Sequence, residues 1–112
     1  LLGLKNMSDL VLTALRNVLE AFTQRNLSLA LSVWRNDKTI DAAYSSLFRA
    51  LLTYMMEDPR NILPCTHLLF CAKNIERIGD HATNIAETVY YIVQGTPLAD
   101  ERPREDAFAA QR

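Results

Sequence analysis

Glu76, Asp80, Asn84 and Glu87 recur at spacings of four, four and three along the segment NIERIGDHATNIAE, residues 74–87. A second acidic pair at spacing four, Asp37 and Asp41, lies in RNDKTID at residues 35–41. In a helix, residues three and four apart share a face, so each set stacks its oxygens on successive turns. Carboxylates gathered from neighbouring helices, with no Cys or His among them, can hold a hard cation. Mg²⁺, Ca²⁺, Mn²⁺ and iron suit an all-oxygen site, as divalent or ferric ions, singly or in a cluster. The same residues admit a plainer account, because Lys38, Lys73 and Arg77 are near enough in sequence to pair with Asp41, Glu76 and Asp80.

Rigid helices must position these groups, and the hydrophobic pattern predicts three. Leu4, Met7, Val11, Ala14, Val18 and Ala21 recur at spacings of three and four, and Leu15 and Phe22 widen the stripe, so residues 4–25 read as an amphipathic helix. A polar break follows, with Asn26 as the C-terminal cap and Ser28 as the next N-cap. A second helix is expected over residues 28–57, with Ala30, Val33, Trp34, Tyr44, Phe48, Leu51 and Met55 on its inner face. Asp58-Pro59 ends it, because proline lacks a backbone donor and disfavours the helical region for the residue before it. A third helix is expected over residues 61–94. Pro64 falls in its first turn, where N–H groups have no intrahelical partner, and Gly95 followed by Pro97 is a stop signal. Residues 96–112 read as a charged, solvated tail. No Asn-Gly or Asp-Gly hairpin turn occurs and glycine totals 3, so the fold class is all-α, an up-down-up antiparallel three-helix bundle over residues 1–95.

At about 100° per residue, Asp41 lies about 40° from Asp37, and Tyr44, Phe48 and Met55 lie within about 20° of it, so both aspartates fall on the apolar stripe. Burying a carboxylate costs several kcal/mol unless a partner or a cation offsets it. On the third helix, Glu76, Asp80, Thr83 and Glu87 fall within about 60° of one another, beside a stripe of Ile75, Ile78, Ala82, Ile85 and Val89. If the chain turns near Pro59, antiparallel positions of equal height have residue numbers summing to about 120. Asp41 is then level with Ile78 and Gly79, and Asp37 with Ala82 or Thr83, so the two acidic sets meet. Gly79 costs a helix about 1 kcal/mol relative to alanine and points to a close helix approach.

Composition narrows the function classes. A chain of 112 residues with 49% hydrophobic content fits one domain with a modest core. Its net charge of -1, with both signs interspersed, offers no surface for nucleic acid. The apolar run from Ile62 to Cys71 is short and broken by Pro64, Thr66 and His67, so direct membrane insertion is not expected. Leu1-Leu2-Gly3 leads straight into an amphipathic pattern, which reads as part of a longer chain and not as a signal peptide. Cys65 and Cys71 suit no zinc spacing and are expected to be reduced core thiols, which points to a cytoplasmic location. His81 is expected at the surface or an interface, and His67, near the start of the third helix and far in height from the acidic cluster, carries no motif. A di-metal carboxylate enzyme remains an alternative, but such sites draw on Glu-x-x-His, and neither Glu76 nor Glu87 has a histidine three residues on. A purely structural bundle without metal is the third account.

The segment CAKNIERIGDHATNIAETVYYIVQG, residues 71–95, resembles the final helix of the PhoU family of phosphate-uptake regulators, and LLTYMMEDPRNI, residues 51–62, is similar to the turn before it. The resemblance implies one three-helix repeat of a two-repeat family. It also implies that the motif of an acidic residue, three residues and an aspartate holds metal in some members. By matching, that motif falls on Asp37 with Asp41 and on Glu76 with Asp80, with Asn84 and Glu87 as neighbours. The metal would be iron, manganese, magnesium or zinc, at a site that can be multinuclear. The implied role is regulatory: a non-enzymatic restraint on the phosphate-starvation response, between the ATPase of the phosphate ABC transporter and a sensor histidine kinase, by a protein that often forms homodimers.

Overall fold

The computed structural model describes residues 2–98; the segment expected to form most of the charged tail, 99–112, lies outside them. The chain forms α1 (Leu2–Gln24), α2 (Leu27–Glu57), a single 3₁₀ turn (Pro59–Asn61) and α3 (Ile62–Gln94). Three contacts establish the topology. Gly3 packs against Leu47, and a Cβ on Gly79 would lie 3.4 Å from both Ile40 and Val11. With only short links between successive helices, the first contact reflects antiparallel α1 and α2 and the second antiparallel α2 and α3, so α3 runs beside α1 in the same direction, touching it at Val11. The result is an up-down-up bundle, all-α among the described residues, with a long axis of 53 Å.

Local chemistry explains the boundaries. Arg25 takes a positive φ of 53° and ends α1. Asn26 serves both helix ends: its backbone N–H closes α1 on the Ala21 carbonyl at 2.9 Å, and its side chain accepts the Leu29 N–H at 3.1 Å to start α2. Ser28 therefore lies inside α2. Asp58 accepts the Arg60 N–H at 2.9 Å and nucleates the 3₁₀ turn, which takes Asn61, expected as the first residue of the third helix, as its last. Pro64 sits in the first turn of α3. Gly95 adopts φ 77°, where a side chain would be strained, and returns its N–H to the Tyr91 carbonyl at 2.8 Å.

The core consists of two neighbouring clusters. Val11, Ala14, Val18, Val33, Ile40, Ala82, Ala86 and Val89 form one with smaller neighbours, and Met7, Leu47, Leu51, Cys65 and Ala72 form the other. Full burial of a side chain such as Leu51 stabilises the fold by about 1.5–3 kcal/mol relative to exposure.

The rotation of α3 departs from the expected stripe. Its inward residues are Ala72, Glu76, Gly79, Ala82, Thr83, Ala86 and Val89, whereas Ile78 is exposed and Ile75 and Ile85 are half-buried. The small residues face inward because only they let α3 approach both other helices, as the contacts of Gly79 with Val11 and Ile40 require. Phe22 and Phe48, also expected inside, are exposed, and Cys71 is an exposed thiol while Cys65 is buried.

Candidate metal centre

Asp37 and Asp41 project from α2 on its buried face, one turn apart, between Val33 and Leu47. Asp37 has 0% exposure, and Thr83 facing it from α3 has 1%. Thr83 Oγ1 lies 3.0 Å from Asp37 Oδ1 and 3.1 Å from the Gly79 carbonyl, so one hydroxyl proton serves either acceptor. Asp80 completes the arrangement from α3: one carboxylate oxygen from each of Asp37, Asp41 and Asp80 lies within 4.8 Å of the others. One oxygen of each, Asp37 Oδ2, Asp41 Oδ2 and Asp80 Oδ1, is shielded from solvent.

Glu76 is buried but falls outside this group of three. Its carboxylate receives Lys73 Nζ at 2.8 Å, and the same ammonium sits 5.3 Å from the centroid of the Tyr44 ring. The hydrogen bond that Lys73 donates to Glu76 is the main reason the Lys73 pKa is raised, opposed by partial burial and assisted by the charge of Glu76, by Tyr44 and by Asp80. Lys73 is half exposed, so the pair is worth at most about 1 kcal/mol. Arg77, expected near Asp80, hydrogen-bonds Asn74 at 3.3 Å. Lys38, Asn84, His67 and His81 are exposed, and Glu87 is half-buried and outside the three-carboxylate group. Thr83, which spacing placed on the acidic face without a role, is the hydrogen-bond partner of Asp37 in the candidate site; its signal was the match in height with Asp37.

The donor set fits a hard cation. Oxygens on opposite sides of an ion bound at about 2.0–2.6 Å are about 4–5 Å apart, so the 4.8 Å span lets all three carboxylates share one ion. Three carboxylates and no nitrogen or sulfur favour Mg²⁺, Ca²⁺, Mn²⁺ or iron over zinc, which prefers Cys and His. Water or a further ion would complete the coordination.

A family model described as the PhoU domain matches residues 4–89, most of the chain. The chain belongs to the PhoU family. Among its relatives, the phosphate-specific transport system accessory protein PhoU homolog of Rhizobium meliloti (strain 1021) is 61% identical over 93% of this chain and 44% of its own length. The homolog of the same name from Caulobacter vibrioides (strain NA1000 / CB15N) is 50% identical over 96% of this chain and 46% of its own length. The crystal structure of PhoU from Pseudomonas aeruginosa superposes with a TM-score of 0.80 at 44% identity, covering 82% of this chain and 44% of that one. The chain thus spans less than half the length of these relatives. Its fold is that of the Pseudomonas aeruginosa PhoU over the matched part, and among the described residues no helix is long and apolar enough to cross a membrane.

Proposed function

We propose that this PhoU-family chain is a non-enzymatic, cytoplasmic regulator of phosphate uptake and of the phosphate-starvation response. In this reading it is a metal-binding helical adaptor between the phosphate ABC transporter ATPase and its sensor histidine kinase. The transport role is supported by the names of the relatives, phosphate-specific transport system accessory proteins. The adaptor role rests on the family resemblance.

The observation that carries the metal part is the convergence of Asp37, Asp41 and Asp80 within 4.8 Å at a buried seam. A bound cation would neutralise charge that the fold otherwise keeps close together, and it would clamp α2 to α3. Because an ion that binds only the folded form stabilises it by mass action, its availability would bias which helical surface is presented to a partner. Regulation suits this geometry better than catalysis. A di-metal enzyme of the bundle type draws a histidine from Glu-x-x-His, and the positions three residues after Glu76 and Glu87 are Gly79 and Tyr90.

The test is elemental analysis of protein purified without chelator, joined to binding measurements against the transporter ATPase and the kinase before and after chelation. The reading expects stoichiometric hard metal and a change in partner affinity when it is removed. Protein that carries no metal and binds neither partner contradicts it.

A further inference from the structure

Lys73 precedes Glu76 by three residues and Asp80 by seven, so at about 100° per residue the three share one face of α3. Of the three, Lys73 stands nearest the turn from α2. Its Nζ donates to Glu76 Oε1 at 2.8 Å and lies 5.3 Å from the centroid of the Tyr44 ring, which α2 carries three residues beyond Asp41. The charge of Asp80 acts on the same ammonium. The Glu76 side chain is 11% exposed and that of Lys73 47%, so the ammonium reaches a buried carboxylate from the solvent side. Arg77, four residues on, is turned instead to Asn74 at 3.3 Å.

The acidic row of α3 is thereby divided. Asp80 joins Asp37 and Asp41 within 4.8 Å, while Glu76, one turn away, is held by Lys73 outside that group. The ammonium acts in opposite directions on the two states of the centre. Without an ion it offsets repulsion among carboxylates gathered at a buried seam and gives Glu76 its donor. Against an ion it adds like charge. At about 10 Å, the axial rise of seven residues, a unit charge and a divalent cation repel enough to weaken binding about 4-fold even at the dielectric constant of water. A side chain that only supported the fold would behave differently, because its removal would weaken fold and site together.

Resting on the metal reading above, we propose that Lys73 is a tethered counter-cation that regulates the carboxylate centre: it stands in for the ion in the metal-free protein and opposes ion binding by its charge and by its hold on Glu76. The test is Mn²⁺ calorimetry on chelator-stripped protein at low ionic strength, joined to urea denaturation without metal. Lys73→Met keeps the apolar stem and removes the charge. It should bind Mn²⁺ at least about 3-fold more tightly than the parent, yet unfold at a lower urea midpoint when stripped. Lys73→Gln, also neutral, should do the same, and Lys73→Arg should resemble the parent in both measurements. The gain in affinity should shrink in roughly 0.5 M salt, which screens the charge. In a Glu76→Gln background, where there is no carboxylate for the ammonium to hold, Lys73→Met should gain less. Circular dichroism checks that each variant keeps the helical fold. If the parent binds Mn²⁺ and both neutral variants bind it equally or more weakly, the regulatory role is overturned while the metal centre stands. An undiminished gain in the Glu76→Gln background overturns the part assigned to Glu76. A parent that binds no Mn²⁺ overturns the metal centre itself, and the role of Lys73 with it.

Discussion

Thr83 Oγ1 and Asp37 Oδ1 stand 3.0 Å apart across the α2–α3 seam, both sealed from solvent and 46 residues apart in the chain. A buried carboxylate needs donors, and this hydroxyl is one that the neighbouring helix supplies at the matching height. Thr83→Val keeps the shape and removes the donor, and should destabilise the fold by about 1–3 kcal/mol. Thr83→Ser, which keeps the hydroxyl, should recover most of the polar part of that loss. Urea denaturation of the metal-free proteins measures both; equal stability of the valine variant and the parent would mean that the bond contributes nothing.

Gly79 gives a sharper packing test. A Cβ there would meet Ile40 and Val11 at 3.4 Å, ordinary contact distance, so Gly79→Ala should be tolerated or gain up to about 1 kcal/mol from helix propensity. Gly79→Leu has no space beyond that first carbon and should lose about 1–3 kcal/mol or more by forcing α3 away from α1 and α2. Thermal melts of the two variants should move in opposite directions or, at the least, differ widely.

The turn before α3 carries a pH signature. Asp58 has its pKa lowered from the ordinary 3.8, first by the Arg60 side chain and then by the Arg60 backbone N–H, against a small opposing effect of burial. A depressed folded-state pKa means that the unfolded chain binds the proton more readily. The contribution is therefore present above pH 3.8 and is lost as pH falls through the lower folded value. Asp58→Ala should lower stability at pH 5.5 and converge with the parent well below pH 3.8, as read from urea midpoints across that range. The pair is exposed, so the effect should be small and should shrink with salt.

Sequence periodicity revealed the helices and the burial of Asp37 and Asp41, because two aspartates between Val33 and Leu47 fall on an otherwise apolar face. Matching heights across the hairpin then placed Asp37 opposite Thr83. The rotation of α3 was not legible. Periodicity follows the largest apolar side chains, yet the helix in closest contact with two neighbours turns its smallest residues inward, and Gly79, Ala82 and Ala86 outrank Ile78 and Ile85 there. The same rotation buries Glu76, although Lys73 and not the aspartates became its partner. Asn26 was legible as a cap but its double use was not: the positive φ of Arg25 turns the Asn26 N–H back onto α1 and leaves its side chain to start α2.

Metal binding at carboxylates competes with protons, so ion and pH act together. Added Mn²⁺ should raise the melting temperature of chelator-stripped protein at pH 7.5, and raise it less at pH 5.5, where protons compete better for the ligands. An equal shift at both values would place the ion elsewhere than on the carboxylates.

Ion titration of the parent and of Asp80→Asn, followed by calorimetry with Mn²⁺ on stripped protein, addresses the central claim most directly. Asp80 is half-buried at the edge of α3, so the substitution should leave the helical fold intact while removing one of three charged ligands. The predicted result is saturable binding to the parent and an affinity at least about 10-fold weaker in the variant, a loss of about 1.4 kcal/mol or more. Binding of equal strength in both proteins, or no binding to the parent, would contradict a metal centre at Asp37, Asp41 and Asp80.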